Sequence, residues 1–259
     1  MSDESLATLL EFATDIAWHA GRITLAHFQT GIAIERKADA SPVTLADRAV
    51  EQFLRDRIAE RFPEDGVLGE EFGVTHEEAR RQWIIDPIDG TRTFVRGVPM
   101  YGVMVALEID GEAQLGVINI PAMNEMVSAA TGLGCWWNSR RARVSDVVRL
   151  EDALVVTTSA EGLYKRGHGE RWDRLRGGVG LVRTWGDCYG YVLVATGRAE
   201  AMIDGSLAIW DAAAVAPIIR EAGGSVSGID GADGYKNGSL VATNDKLGGQ
   251  IRRLLGNGA

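Results

Sequence analysis

Cysteine is scarce in this chain. Its 259 residues include two, Cys135 and Cys188, which form no CxxC pair and are too few for the usual structural zinc site. They read as reduced, buried thiols. Leader-like residues are lacking as well: the opening Met1-Ser2-Asp3-Glu4 has neither a basic stretch nor an apolar core, and no leader is expected. No apolar run approaches the roughly 20 residues of a membrane span, so a cytoplasmic location is expected. There is no low-complexity tract and no internal repeat. Positive charge is in deficit, with 27 Lys and Arg against 36 Asp and Glu and a net charge of -9. Such a surface repels nucleic-acid phosphates and anionic membranes, and neither is an expected partner. Any anionic ligand would need local cations or metal ions to offset the surrounding carboxylates.

Apolar residues, by contrast, are plentiful. They make up 46% of the chain, enough at this length to bury one large core or two tightly joined subdomains. Leu6, Leu9, Leu10, Ala13, Ile16, Ala17 and Ala20 recur at helical spacing, and Gly21 follows them. After a polar segment from Glu35 to Ser41, Thr44 opens a second helix with Val50, Phe53, Leu54 and Ile58 on its apolar face, ending before Pro63. Trp83-Ile84-Ile85 reads as a short buried strand that stops at Asp86-Pro87. Tyr101 to Ile109 and Ala113 to Ile120 read as strands joined by Asp110-Gly111, a strong hairpin signal. Beyond Leu150, strands at Ala153 to Thr157, Val179 to Thr184, Ala201 to Asp204 and Ser239 to Thr243 alternate with helices. The helices are Glu170 to Arg176, Tyr189 to Thr196, Ala212 to Ala222 closed by Gly223-Gly224, and a terminal one. The pattern predicts an α+β subdomain over residues 1–150 and an α/β subdomain over residues 151–259, joined without a flexible linker.

The six residues Asp86-Pro87-Ile88-Asp89-Gly90-Thr91 follow an apolar strand and are expected in the loop at its C-terminal end. Two carboxylates three positions apart on a tight turn can converge on one site. Pro87 fixes the backbone, and Gly90 lets it come close to a ligand. A helix opening at Gly90-Thr91 would aim unpaired N–H groups at the same point, which suits a phosphate. Hard oxygen ligands suit magnesium rather than zinc. A DxxD pair alone is readily an acidic turn with Asp89 capping a helix, but the six-residue string is far more specific.

With its neighbours, this string resembles the signature of the inositol monophosphatase superfamily. Gly69-Glu70-Glu71 is similar to the family's GEE motif. Lys37-Ala38-Asp39 through Ser41-Pro42-Val43-Thr44 to Asp47 is similar to its K-x-D-x-S-x-V-T-x-x-D segment. Trp210-Asp211-Ala212-Ala213-Ala214, with Glu221-Ala222-Gly223-Gly224, resembles its C-terminal blocks. The resemblance spans the first helix to the last strand and implies a layered αβαβα sugar-phosphatase fold and a magnesium-dependent phosphomonoesterase. It implies that Glu70, Asp86 and the carbonyl of Ile88 hold one Mg2+ and that Asp86, Asp89 and Asp211 hold a second, with Glu70 sharing a weaker third. Four clustered carboxylates repel one another unless protonated or metallated, and two or three divalent ions would neutralise them. Taken singly, Glu70 reads equally well as a solvated partner of Glu71, and Asp211 as a helix cap.

Asp47 carries two readings. Thr44-Leu45-Ala46-Asp47 fits a capping box, whereas the resemblance has Asp47 and Thr91 orient and deprotonate the attacking water, with Glu70 in the same catalytic set. Lys37 would support the metals. The implied reaction is hydrolysis of a small phosphate ester by metal-activated water, without a phospho-enzyme, and with lithium able to inhibit at a magnesium position. No cysteine or histidine nucleophile is needed. Family members are commonly homodimers, and Trp136-Trp137 read as core or dimer-interface packing.

Arg92-Thr93-Phe94-Val95-Arg96-Gly97-Val98-Pro99 and Arg183-Thr184-Trp185-Gly186-Asp187-Cys188-Tyr189-Gly190 resemble the bacterial histidinol-phosphate phosphatase branch more than the inositol branch. By that resemblance Arg183 and Asp187 face the substrate, beside Asp89, Gly90, Thr91 and Asp211, and Asp187 pairs with an amine. The plainer alternatives are that Asp187 caps the following helix and that Arg183 pairs with a carboxylate. L-histidinol phosphate is the expected substrate, with inositol monophosphates or a broad range of sugar phosphates as alternatives. A regulatory binding protein that keeps the fold without turnover is the non-enzymatic alternative.

Overall fold

Strands that are apolar at every position need a packing partner on both faces. The computed structural model, which describes residues 4–36 and 42–256, provides one by stacking five layers: helix, sheet, helix, sheet, helix. The first layer pairs α1 (Leu6–His27) with α2 (Leu45–Arg61), linked through a two-stranded ribbon of β1 (Ile34–Arg36) and β2 (Pro42–Thr44). The second layer is an eight-stranded sheet. It comprises β3 (Gly66–Gly69), β4 (Gly73–Thr75), β5 (Arg81–Asp89), β6 (Gly102–Ile109), β7 (Glu112–Ile120), β8 (Glu125–Ala130), β9 (Gly134–Trp137) and β10 (Arg140–Arg141), in the order β10-β9-β8-β7-β6-β5-β3-β4. Of its pairs only β3 with β5 is parallel. The short helix α3 (Thr91–Phe94) follows β5.

The second half of the chain builds a five-stranded sheet ordered β12-β11-β13-β15-β14, from β11 (Leu154–Val156), β12 (Leu181–Arg183), β13 (Ala201–Asp204), β14 (Gly224–Ser227) and β15 (Leu240–Asn244). Its helices are α4 (Ala160–Lys165), α5 (Gly169–Gly178), α6 (Asp187–Ala195), α7 (Ile209–Ala212), α8 (Val215–Glu221) and α9 (Asp245–Leu255). Alternate residues along each strand sort the layers. Trp83, Ile85, Val103 and Val105 pack on Leu9, Ala13, Leu54 and Ile58 of the first helix layer. Ile84, Met104 and Ala106 face the opposite way, into a core shared with Val192 and Val194 of α6, Ile218 of α8, and Val156, Met202 and Ala242 of the second sheet. Val155, Ile203 and Val241 pack outward on Leu163, Trp172, Leu175 and Ile251. The central helix layer is therefore buried against both sheets.

Several elements differ from the sequence-based expectation. Helix α1 runs past Gly21 to His27. Gly21 serves close packing instead: a Cβ there would lie 2.3 Å from Asn119 Nδ2. The helix expected over Ala212 to Ala222 is shorter: α7 ends at Ala212 and α8 begins at Val215, a break that fits Pro217, which has no N–H to donate back to Ala213. The strands β3, β4, β8, β9, β10 and β14 were not anticipated; most are short or end on glycine, and pairing rather than periodicity makes them strands. The Asp110-Gly111 hairpin is present, with φ of 53° and 81°, the left-handed pair that a two-residue turn requires. Cys135 and Cys188 are free and buried. Trp136 is half-exposed beneath the guanidinium of Arg141, 4.9 Å from its ring centre.

The layers meet closely where β7 crosses the start of α8. A Cβ on Gly116 would lie 2.1 Å from the backbone oxygen of Ala214, and neither backbone can yield easily. Gly116→Ala should destabilise the protein by about 1–3 kcal/mol, the usual range for overpacking. A urea or thermal melt within error of the unmodified protein would contradict this close approach.

Candidate active site

Positions three apart on a regular strand point to opposite faces, so Asp86 and Asp89 should diverge. They do not, because β5 is bulged between them. Asp86 pairs with Met104 and Asp89 with Gly102, so three steps on β5 oppose two on β6. The extra residue restores parity and puts both carboxylates on one face. The expected loop is thus the bulged end of the strand. Ile88 N donates to Asp86 Oδ1 at 3.0 Å. Parallel pairing sets Gly69 opposite Ile85, which brings Glu70 beside Asp86. Asp211 arrives from α7, oriented by Ala208 N, which donates to its Oδ2 at 2.9 Å. Asp86, Asp89 and Asp211 each offer a carboxylate oxygen, all within 4.8 Å of one another.

Such a cluster cannot be fully charged without a cation. Burial lifts the pKa of Asp86 well above its ordinary range, and the charges of Glu70, Asp89 and Asp211 lift it further. Burial does the same to Asp89, reinforced by Asp187 and Asp211. Asp211 is raised to about 6, first by burial and then by Glu70. An all-oxygen donor set in a buried, mutually repelling group fits a hard divalent ion.

Asp47 makes contacts with both of its oxygens. Oδ2 accepts from Thr44 N at 2.7 Å and Thr44 Oγ1 at 2.6 Å, forming the capping box of α2. Oδ1 accepts from Thr91 Oγ1 at 3.3 Å, while that hydroxyl also lies 3.1 Å from the carbonyl of Ile88. Burial raises the pKa of Asp47 despite the bonds from Thr44. Lys37, Asp39 and Ser41 fall outside the described residues.

Asp187 does not cap α6; Gly186 holds the N-cap position, and Asp187 has a left-handed φ of 50°. Its Oδ2 accepts from Thr93 Oγ1 at 2.8 Å, and its carboxylate lies where a side chain on Gly90 would be, 2.8 Å from the missing Cβ. Asp89 caps α6 in its stead, accepting from Cys188 N across the two halves of the chain. The Cys188 thiol is pushed well up by burial and by Asp89, which suits no nucleophile. Arg183 is exposed, and its Nη1 donates to Val182 O at 2.8 Å; no carboxylate partner is present among the described residues.

One carboxylate escaped the sequence reading. Asp204, at the end of β13, is buried and accepts from Thr158 N and Oγ1, each at 3.2 Å, and from Tyr191 OH at 2.9 Å. An acidic residue closing an otherwise apolar strand was the available signal. Asp89, Asp187, Asp204 and Asp211 line one cavity of about 190 Å³, with Thr158, Tyr191 and Ser206.

A layered αβαβα fold with carboxylates gathered at the ends of β3 and β5 and on α7 defines a class of metal-assisted phosphatases. The sequence profile of the inositol monophosphatase family matches residues 5–256, and the chain belongs to that family. It is 44% identical to a histidinol-phosphatase of Chlorobaculum parvum over 96% of this chain and 97% of that one. It is 35% identical to an inositol-1-monophosphatase of Mesorhizobium japonicum over 93% of each. The solved structure of a Thermotoga maritima inositol monophosphatase covers 96% of both chains with a TM-score of 0.87 at 29% identity. The chain is thus a phosphatase of a metal-dependent family. No helix among the described residues is long and apolar enough to cross a membrane.

Asp204 generates a pH prediction. Burial raises its pKa from 3.8 to about 6, so the folded protein holds this proton more tightly than the unfolded chain. Its contribution is present below about pH 4 and is lost as pH rises through about 6. Metal-free wild type should therefore lose up to roughly 3 kcal/mol relative to Asp204→Asn between those limits. Urea titrations of the two proteins that stay parallel across that range would count against a proton held at Asp204.

Proposed function

We propose that this chain is a magnesium-dependent phosphomonoesterase and that L-histidinol phosphate is its substrate. The observation that carries the reaction is the meeting of Asp86, Asp89 and Asp211 within 4.8 Å in a buried setting. Glu70, Asp86 and the Ile88 carbonyl would hold one ion, and Asp86, Asp89 and Asp211 a second, with Glu70 sharing a weaker third. When bound, the ions supply positive charge that neutralises a phosphate dianion and makes water more acidic. The chain's own residues do the rest. Thr91 Oγ1 takes a proton from the attacking water as its own passes to Asp47 Oδ1, the oxygen already 3.3 Å away. The raised pKa of Asp47 makes it a better acceptor than an exposed aspartate. Backbone N–H groups of Gly90 and Thr91, at the start of α3, would hold phosphate oxygens.

The substrate assignment is supported by the sign of the cavity. Beside the metal-assigned Asp89 and Asp211, it is lined by Asp187 and Asp204, which favours an alcohol carrying an amine and an imidazole over a neutral polyol. Asp187 is the proposed amine partner. A charge-assisted hydrogen bond of this kind is worth roughly 1.5–3 kcal/mol. Arg183 does not line the cavity and lends this reading no support. The 44% identical histidinol-phosphatase points the same way. A homodimer and a cytoplasmic location belong to the same proposal, and light scattering in solution checks the first.

Two measurements test the reading. Phosphate release from histidinol phosphate should vanish in excess EDTA and return with magnesium, and Asp86→Asn should be folded but inactive; turnover that persists in EDTA would remove the metal mechanism. For the substrate, kcat/KM is compared across histidinol phosphate, inositol 1-phosphate and fructose 1,6-bisphosphate. The first should be preferred, and Asp187→Ala should lower its value about ten- to hundredfold with far less effect on p-nitrophenyl phosphate. Preference for either sugar-like ester would overturn the substrate while leaving the hydrolase.

A further inference from the structure

Glu70 is half-buried near the edge of the sheet, where a residue that must be placed accurately needs support. It opens the three-residue turn Glu70-Glu71-Phe72 between β3 and β4, and β4 is the edge of the eight-stranded sheet. Phe72 and Val74 are 47% and 43% exposed, so apolar packing does little to hold this hairpin. What holds it comes from α2. Glu51 is fully buried. Its Oε2 accepts from Glu71 N at 2.7 Å, and its Oε1 accepts from Phe72 N at 3.0 Å. Arg55, one turn on, donates Nε to Glu51 Oε1 at 2.9 Å and Nη2 to the carbonyl of Gly73. One carboxylate and one guanidinium thus bind both ends of the turn. The approach needs a residue without a side chain at position 69, since a Cβ on Gly69 would lie 2.2 Å from Glu51 Oε1.

We infer that Glu51 is a positioning residue for the metal site: it fixes the Glu70 turn to α2 so that the Glu70 carboxylate stands ready beside Asp86. Asp47 lies four residues before Glu51, on the same face of the same helix. One helix therefore registers two parts of the site to each other, the Asp47–Thr91 pair through Asp47 and the Glu70 turn through Glu51. This inference rests on the metal reading above. Groups that orient metal ligands commonly matter about ten- to hundredfold in metal affinity when removed.

Glu51→Gln keeps the size but offers one acceptor oxygen where two are used, and turns an NH2 group toward a backbone N–H. The test is Mn2+ binding to the metal-free protein, read as free Mn2+ by electron paramagnetic resonance. Leu54→Ala, on the face of α2 that packs on the sheet, serves as a control that loses stability without touching the turn. Glu51→Gln should weaken Mn2+ binding about tenfold or more, with kcat at saturating magnesium within about threefold of wild type, while Leu54→Ala binds Mn2+ as wild type does. If Glu51→Gln fails to fold, Gly69→Ala probes the same contact from the turn and should weaken binding likewise. Unchanged affinity in the Glu51 or Gly69 variant, or an equal loss in Leu54→Ala, overturns the inference. Wild-type protein that binds no Mn2+ at all would instead remove the metal reading on which it stands.

Discussion

The structure depends on one electrostatic constraint: acidic side chains that repel one another are held together out of water. Asp86 and Asp89 are driven well above ordinary carboxylate pKa values and Asp211 to about 6, burial being the largest cause in each case. Such a group is costly when unpaired and stable when it holds protons or a cation. The surrounding fold supplies the rigidity that keeps the carboxylates from relaxing apart. Two sheets and a helix layer between them converge on the point where β5 ends.

Backbone hydrogen bonds at helix starts set the direction of three of the carboxylates. Asp47 closes the N-terminus of α2 with one oxygen and meets Thr91 with the other. Asp211 takes the Ala208 N–H at the start of α7. Asp89 takes the Cys188 N–H at the start of α6, reaching from the first half of the chain into the second. Capping a helix and standing at the candidate site are compatible in these cases. A helix terminus needs an acceptor, and meeting that need orients a carboxylate for other work.

Glycine matters where a carboxylate must come close to backbone. Gly90 has a φ of 82° and leaves room for Asp187. Gly69 leaves room for Glu51. In both places the absent side chain, rather than backbone flexibility alone, lets two segments distant in sequence meet.

The local chemistry was legible in the sequence. The alternating and helical apolar patterns marked the long helices and the buried strands of both halves, because burial on a periodic element leaves a periodic trace. The string Asp86 to Thr91 marked two members of the acidic cluster, and the resemblance of Gly69-Glu70-Glu71 and Trp210-Asp211 to family motifs marked the other two. Tertiary structure alone decided the rest. The parity of Asp86 and Asp89 depends on the bulge against β6, which exists only once the strands pair. Asp204 and Glu51 look like ordinary acidic residues until folding buries them. Edge and hairpin strands such as β4 and β10 are too short to carry a period. These features arise from contacts between segments far apart in the chain, and a linear pattern holds no record of which segments will meet.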